Sequence, residues 1–375
     1  MKVGLNLLFL GEGAGGVGRY ATELAGALAA RDDVQLELFT SRAEPVGLRS
    51  ETWASAARFT QLPVSPAGRA GYLAANFIAL PALASARRLD VLHSPANVGP
   101  FRAPGVATLI TVHDLIWMRF GEDWDSPEAV ASMKRATSAT VPRARRILTD
   151  SVASEQDLVA ALGLDPRKID VVPLGVRSEP AAPFTPEAEL RGRLGLGSAR
   201  VILCVAQKRP YKGQDRLIRA LAKLDDDAIL VLPGAPTGYE LQLRALAEDL
   251  GVASRVVFPA WVGEADLEGL YRMATCFALA SDIEGFGLPV LEAMARGLPV
   301  ACSDRTSLPE VAAGAALLFD PDDEDSVVGA LSRLLADEEL RATLSRAGVE
   351  RAAKFTWERT ARLTVDSYRR AVSGG

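Results

Sequence analysis

The sequence predicts an α/β protein built from two doubly wound, Rossmann-like domains. Three observations carry this prediction. The chain has 375 residues, which exceeds the length that a single hydrophobic core usually supports. Short apolar, β-branched runs alternate with amphipathic helical segments, a pattern typical of parallel sheets with crossover helices. A stretch with three prolines and no periodicity, residues 177–186, interrupts this alternation and indicates a linker.

The predicted elements follow in order along the chain. In the first domain, residues 1–176, the predicted strands include 3–10, 34–40, 91–93, 107–112, 147–150 and 169–173. After a linker at 177–189, the second domain, residues 190–354, includes strands at 201–206, 228–233, 255–258, 276–280, 299–302 and 316–319. Residues 355–375 form one helical pattern, a candidate to pack back on the first domain.

Composition and charge exclude several classes of protein. Hydrophobic residues make up 49% of the chain and charged residues 24%, which argues against a disordered chain. The net charge of −5 shows no excess of basic residues of the kind that nucleic-acid-binding proteins carry. Residues 1–176 carry 18 basic and 18 acidic side chains, so the whole net charge of −5 lies in residues 177–375. A neutral first half favours at most peripheral contact with an anionic membrane.

Cysteine usage and hydropathy predict the compartment. The three scattered cysteines, Cys204, Cys276 and Cys302, lie in apolar runs and are expected to be reduced core thiols of a cytoplasmic protein. We expect no signal peptide, because the first residues run directly into a strand. The longest uncharged stretch, residues 70–86, is too short to span a bilayer, so transient contact with the inner face of the membrane is the most we expect.

A glycine-rich run follows the first strand and precedes a helix predicted at 20–30. Its glycines, Gly11, Gly13, Gly15, Gly16 and Gly18, would let the backbone approach a phosphate at a helix N-terminus. The run fits the dinucleotide pattern twice. A nicotinamide site requires an acid at the end of the second strand, however, and that strand ends in Thr-Ser-Arg. A tight turn without a ligand is the alternative.

The most informative segment is 280–294, ASDIEGFGLPVLEAM. Its proline suits a first helical turn, and the two glycines before it free amides that could point at an anion. Glu284 then lies in the loop, and Glu292 about one turn inside the helix, where it could accept hydrogen bonds from ribose hydroxyls. The alternative makes Glu292 a charge favoured by the helix dipole and Glu284 a solvated loop residue.

This segment resembles the E-x7-E motif of retaining glycosyltransferases of family 4. Further likenesses occur in the family's order: the glycine-rich loop, Thr111-Val112-His113-Asp114, Val172-Pro173-Leu174-Gly175-Val176, Tyr211-Lys212-Gly213 and Gly297-Leu298-Pro299-Val300. The resemblance covers nearly the whole chain. It implies the GT-B architecture, with a nucleotide sugar in the interdomain cleft. It also implies transfer of a hexose, such as mannose, to a hydroxyl acceptor with retention.

The resemblance also implies donor-binding roles. Glu292 would bind the ribose, Lys212 would neutralise the leaving diphosphate, and Gln207 replaces the family's usual arginine. Lys208 or Arg209 could supply that missing cation, or both could be a solvated loop end. Val262 would contact the base of the nucleotide. The diphosphate would be held by Gly285, Phe286, Gly287 and Leu288 and, across the cleft, by Gly15 and Gly16.

On the sugar side, His113 would hold a hexose hydroxyl or developing positive charge, and His93 would shape a nearby loop. Glu284 would contact sugar hydroxyls or stabilise positive charge. It is not assigned as a covalent nucleophile, because such enzymes are commonly proposed to use a front-face mechanism.

No metal or other cofactor is expected, and two histidines are too few for a histidine-based metal cluster. The string Asp123-Trp124-Asp125 is of the kind that binds a divalent ion in the other major glycosyltransferase fold. We interpret it as a helix start, with Asp125 or Ser126 as the cap and Pro127 in the first turn.

The acceptor stays open among a glycan, a lipid-linked sugar and a small molecule. Alternative functions are a GT-B epimerase and a non-catalytic protein that binds sugar nucleotides. A nicotinamide-dependent oxidoreductase would need an acidic residue at the end of the second strand to bind the ribose, and the sequence has none there.

Overall fold

A computed structural model of the chain describes residues 1–11, 15–66, 69–121, 126–177, 183–224, 227–260 and 262–374. The chain divides into two compact units, one formed by Met1–Gly175 with Thr356–Gly375 and the other by Val176–Phe355. Gly13, the Asp123-Trp124-Asp125 string and positions 178–182 of the predicted linker lie outside the described residues.

The first unit is built on a parallel sheet. Its strands are β1 Lys2–Leu7, β2 Gln35–Thr40, β3 Ala57–Gln61, β4 Val91–Ser94, β5 Ala107–Thr111, β6 Arg146–Thr149 and β7 Ile169–Val171. Over the described residues these seven lie in the order β3-β2-β1-β4-β5-β6-β7, and every neighbouring pair is parallel. This is the doubly wound order, extended by one strand, so the prediction of a Rossmann-like fold is confirmed for this unit.

Helices cross over between these strands. They are α1 Gly15–Ala29, α2 Arg69–Ala74, α3 Leu80–Ala86, α4 Ile116–Arg119, α5 Pro127–Thr140 and α6 Val152–Leu162. Helix α1 begins five residues before its predicted start, at Gly15, whose left-handed φ of +59° favours glycine. The apolar stretch 70–86 is α2, a π-helical turn at Ala75–Ala79 and α3. In the described part of the chain, no helix is both long enough and apolar enough to cross a membrane.

The second unit repeats the architecture. Its strands are β8 Val201–Leu203, β9 Ile229–Val231, β10 Val256–Val257, β11 Cys276–Leu279, β12 Val300–Ser303 and β13 Leu317–Phe319. The sheet order among its described residues is β10-β9-β8-β11-β12-β13, again all parallel. The helices are α7 Glu187–Leu194, α8 Gln214–Lys223, α9 Gly238–Asp249, α10 Glu264–Met273, α11 Leu288–Ala295, α12 Leu308–Ala312, α13 Glu324–Ala336 and α14 Glu338–Ala352.

The segment entering the second unit is more structured than a linker of 177–189 implies. Helix α7 begins at Glu187, and the Thr185 amide donates to the carbonyl of Ala265 at 3.0 Å. The first and last residues of the unit also meet, since the Val176 amide donates to the carbonyl of Phe355 at 3.0 Å. The unit therefore begins and ends at one point. Cys204, Cys276 and Cys302 are buried free thiols in this core, and burial raises the pKa of each to about 12.

The last helix, α15 Trp357–Ser373, belongs to the first unit and packs on α1 and the middle of its sheet. Thr356 caps it by accepting a hydrogen bond from the Arg359 amide. At its start the chain passes so close to Gly175 that a Cβ there would lie 2.5 Å from the Trp357 backbone nitrogen. Glycine is therefore required at this crossing.

Candidate functional site

The loop after β11 and the start of α11 form a buried helix tip. Pro289 occupies the first turn of α11, as predicted, and Gly287 before it has a φ of +98°. A Cβ on Gly287 would lie 2.5 Å from a methyl carbon of Leu308, so only glycine fits. Phe286 packs edge-on against Phe355 with 5.8 Å between ring centroids. The first amides of a helix have no intrahelical partner, so the start of α11 at Leu288, with Phe286 and Gly287 just before it, forms a tip suited to an anion; Gly285 lies in the preceding loop.

Beside this tip, Lys212 and Glu284 form an ion pair. Lys212 ends a 3-10 turn after β8, and its Nζ lies 2.8 and 2.9 Å from the two carboxylate oxygens of Glu284. The hydroxyl of Ser281 donates to the same carboxylate at 2.7 Å. The two charged side chains are only 15% and 9% exposed. The structure thus brings together the two predicted catalytic groups of this unit as a mostly buried pair.

Glu292 lies in the second turn of α11 and is buried. Its Oε2 accepts a hydrogen bond of 3.0 Å from the hydroxyl of Tyr271 in α10. The guanidinium of Arg296 stacks over the Tyr271 ring at 4.9 Å and donates to the Glu292 backbone carbonyl. Tyr271 was not predicted from the sequence. Its partner is 21 residues away in another helix, and no short motif marks that contact.

The cations proposed to replace the family arginine have different environments. Lys208 is fully buried, and its Nζ donates to the Gly234 carbonyl at 2.7 Å and pairs with Glu240 at 3.1 Å. Its role as a donor contact stays a prediction; in the structure the ammonium joins the loop at Gly234 to Glu240 in α9. Arg209 is half-buried directly before the 3-10 turn that carries Lys212, and stays a candidate. Val262 is half-buried just before α10.

In the first unit, His113 lies two residues beyond β5 and pairs with Asp150. The two side chains approach within 2.7 Å, and the second ring nitrogen lies 3.3 Å from the Pro95 carbonyl. Burial alone would lower the pKa of His113, but the Asp150 carboxylate outweighs it and holds that pKa above its ordinary value. Asp150 was missed as a site residue. The available signal was its place directly after β6, the neighbour of β5, since carboxyl ends of parallel strands share one edge.

The other predicted residues of this unit lie at the start of α1 and inside β4. Gly15 and Gly16 open α1, and a Cβ on either would meet no described atom within 4 Å. His93 lies inside β4, bonded to Tyr368 and to Thr111 at 2.8 Å each, so it ties α15 to the sheet and does not shape a loop. Burial lowers the pKa of His93 to about 3, so it is neutral.

The predicted helix start near residue 126 is confirmed for its described part. Ser126 caps α5 by accepting from the Ala129 amide at 3.3 Å, and Pro127 follows in the first turn. In the residues that the structure describes, no group of three or more histidine, cysteine, aspartate or glutamate side chains is arranged to hold a metal ion.

Comparison with known proteins identifies the family. The family described as "Glycosyltransferase Family 4" matches residues 14–179, and "Glycosyl transferases group 1" matches residues 187–351. A D-inositol 3-phosphate glycosyltransferase from Acidothermus cellulolyticus is 34% identical over 310 residues, which cover 76% of this chain and 68% of that protein.

Solved structures share the fold. Sucrose-phosphate synthase from Thermosynechococcus elongatus aligns with a TM-score of 0.78 at 22% identity, covering 100% of both chains. Alr3699/HepE of Anabaena, solved in complex with UDP and glucose, aligns with a TM-score of 0.75 at 19% identity over 98% of both chains. With two Rossmann-like units and these matches, the chain is a glycosyltransferase of the GT-B type and belongs to glycosyltransferase family 4.

Proposed function

We propose that this enzyme transfers a hexose from a nucleotide-sugar donor to a hydroxyl acceptor, with retention and without a metal ion. The observation that carries the proposal is the Lys212–Glu284 pair beside the tip of α11, with Glu292 one turn further along. The Lys212 ammonium and the tip of α11 suit the negatively charged diphosphate of such a donor. The carboxylate of Glu292 suits the hydroxyls of its ribose. The complex of Anabaena HepE with UDP and glucose supports a uridine nucleotide as the first donor to test.

Donor binding is the first step proposed. The Glu292 carboxylate accepts hydrogen bonds from the ribose hydroxyls, and Tyr271 holds it in position through the 3.0 Å contact. The diphosphate lies on the tip of α11, where the dipole and the first amides favour negative charge. Arg209 and Val262 are proposed to contact the diphosphate and the base, and Gly15 and Gly16 at the start of α1 also serve the diphosphate.

Transfer then breaks the bond between the sugar C1 and the diphosphate oxygen. Negative charge grows on that oxygen, and the Lys212 ammonium stabilises it. Glu284, which holds Lys212 in the free enzyme, stabilises the positive charge growing on the sugar ring. The acceptor oxygen forms the new bond on the face the diphosphate leaves, and its proton passes to the departing phosphate oxygen. Configuration at C1 is thereby retained.

His113 is proposed to bind the hexose. Asp150 holds the pKa of His113 above its ordinary value and so favours the protonated imidazole, which donates from both nitrogens. The donor opposite Asp150 has only a 3.3 Å contact with the Pro95 carbonyl, so it can donate to a hexose hydroxyl instead.

The acceptor is proposed only as a hydroxyl compound. The relative from Acidothermus cellulolyticus is named as a D-inositol 3-phosphate glycosyltransferase, which makes a phosphorylated cyclitol the first acceptor to test. Glycans and lipid-linked sugars are the next classes.

The test is a thermal-shift panel of UDP, GDP, TDP and ADP and their hexose sugars, followed by a donor-hydrolysis assay. We expect one nucleotide to raise the unfolding temperature, and Glu292→Ala to remove most of that shift. Glu350→Ala, which removes an exposed carboxylate from α14, is the matched control and should leave the shift unchanged. If no nucleotide stabilises the chain, or if both variants behave alike, the donor-site assignment is wrong.

A further inference from the structure

A cavity of about 580 Å³ lies in the first unit at the amino ends of its strands. It is lined by residues just before or at the start of β4, β5 and β6, including Asp90, Thr108 and Arg145, and by Val372 at the end of α15. Because the strands are parallel, this edge is opposite to the one that carries His113. Five residues of extended chain separate Thr108 from His113, a span of roughly 16 Å. The cavity is therefore separate from the histidine pair.

The charge around this cavity is unbalanced. Arg102, Arg143 and Arg145 line it, against the single carboxylate of Asp90. That carboxylate already accepts a 2.7 Å hydrogen bond from the Lys2 backbone amide. No ion pair joins any of the three guanidinium groups to a carboxylate within the described ranges. Counted over its described lining residues, the cavity therefore carries an excess of about two positive charges.

Two of these arginines are held in place by neutral groups. Arg145 donates from Nε to the Ala371 carbonyl at 3.2 Å, at the end of α15. Arg143 donates to the Ala139 carbonyl, and its guanidinium lies 5.8 Å from the centre of the Phe101 ring. Such contacts orient the guanidinium without neutralising it.

The neighbouring arginine, Arg146, has a different environment from the exposed Arg143 and Arg145. Arg146 is buried, and its Nε lies 2.9 Å from Asp170, with a second bond to the other oxygen of that carboxylate. Arg146 therefore forms an internal ion pair, whereas Arg143 and Arg145 line the cavity. Positive charges that line a concave surface attract anions to it, and guanidinium groups form strong hydrogen bonds with phosphate.

We propose that this cavity binds a phosphorylated organic anion. Guanidinium groups match phosphate oxygens in geometry as well as in charge. A volume of about 580 Å³ exceeds what a bare phosphate fills, and lies in the range of small-molecule sites. This site is independent of the donor site proposed above, since none of its residues belongs to that machinery.

The phosphate could be carried by a soluble compound or by a lipid headgroup. An apolar ring lies beside the cavity: Phe101, which contacts the guanidinium of Arg143, is 41% exposed and stacks on Phe77 at 4.6 Å. An apolar ring beside arginines would also suit a phospholipid at a membrane surface. The experiment therefore has one arm for each source.

The soluble arm is calorimetric titration of the full chain with glycerol 3-phosphate. The lipid arm is co-sedimentation with vesicles of phosphatidylcholine, with and without phosphatidic acid. Each is repeated with Arg102→Gln, Arg145→Gln and their double variant. Arg346→Gln on α14 is the control, because it removes the same charge from an exposed position in the other unit.

We expect binding in one arm, weakened about fivefold by each single cavity variant and unchanged by the control. Asp90→Asn keeps an acceptor for the Lys2 amide but removes the opposing charge, so it should strengthen binding by a similar factor. Binding that Arg346→Gln weakens as much as the cavity variants would overturn the proposal. So would the absence of binding in both arms, or a loss of affinity in Asp90→Asn.

Discussion

The contribution of the Lys212–Glu284 ion pair to the free energy of unfolding can be predicted and measured. We predict that Lys212→Met lowers the free energy of unfolding by about 2–3 kcal/mol. Removing one partner of a fully buried pair costs about 3–5 kcal/mol, because the other charge stays buried without compensation. Here the side chains are 15% and 9% exposed, and the Ser281 hydroxyl still donates to the carboxylate, so we expect a cost somewhat below that range.

The double variant separates the ion pair from the loss of packing. In Lys212→Met with Glu284→Gln no buried charge is left, so we expect part of the lost stability to return. The coupling energy of the cycle should be about 1.5–2 kcal/mol. Urea unfolding followed by far-ultraviolet circular dichroism measures each variant.

Lys223→Met is the matched control. Its Nζ also pairs with a carboxylate, that of Glu324 at 3.1 Å, but the lysine side chain is 50% exposed. Exposed pairs are worth about 0–1 kcal/mol, so this variant should lose little stability. If Lys212→Met costs no more than Lys223→Met, or if the two single costs simply add, the buried pair is not present in the folded enzyme and the reasoning is refuted.

Two further predictions concern the other unit's histidine and the helix tip. Asp150→Asn should lower the pKa of His113, because it removes the carboxylate that outweighs burial. In the parent chain the stabilisation from the charged pair is present below pH 6.5 as long as Asp150 stays ionised, and it is lost as the pH rises through the raised pKa of His113. Proton NMR of the imidazole measures this titration, and an unchanged curve would contradict the assignment. Gly287→Ala should cost about 2–4 kcal/mol, because the residue needs a φ of +98° and its Cβ would lie 2.5 Å from Leu308. Gly329→Ala, at an open position inside α13, should instead gain up to about 1 kcal/mol by urea unfolding, and equal effects at both positions would exclude the steric explanation.

The sequence predicts the alternation of strands and helices well, because buried parallel strands are short apolar runs between helical segments. It misses β3, Ala57–Gln61, whose sequence ARFTQ alternates polar and apolar residues. An edge strand of this kind is only partly buried and has no continuous apolar run. The early start of α1 is missed because glycines mark a turn and a helix start equally well.

Site residues in motifs were predictable, but their partners were not. Lys212 and Glu284 carry the family pattern, and the structure pairs them across 72 residues. Asp150 and Tyr271 act through contacts that depend on strand order and helix packing, which no local pattern encodes. Lys208 illustrates the converse: a lysine beside a motif is as readily an internal ion-pair partner as a ligand contact.

The hydrogen bond between Val176 and Phe355 has a consequence for how the chain folds. The second unit is continuous in sequence, whereas the first must recruit residues 356–375 after 180 intervening residues. Closing so long a loop in an unfolded chain costs conformational entropy that grows with its length. Once the second unit has folded, however, its two ends are held together, and Thr356 is delivered beside Gly175. We therefore expect the first unit, although synthesised first, to complete its folding only after the second unit has folded.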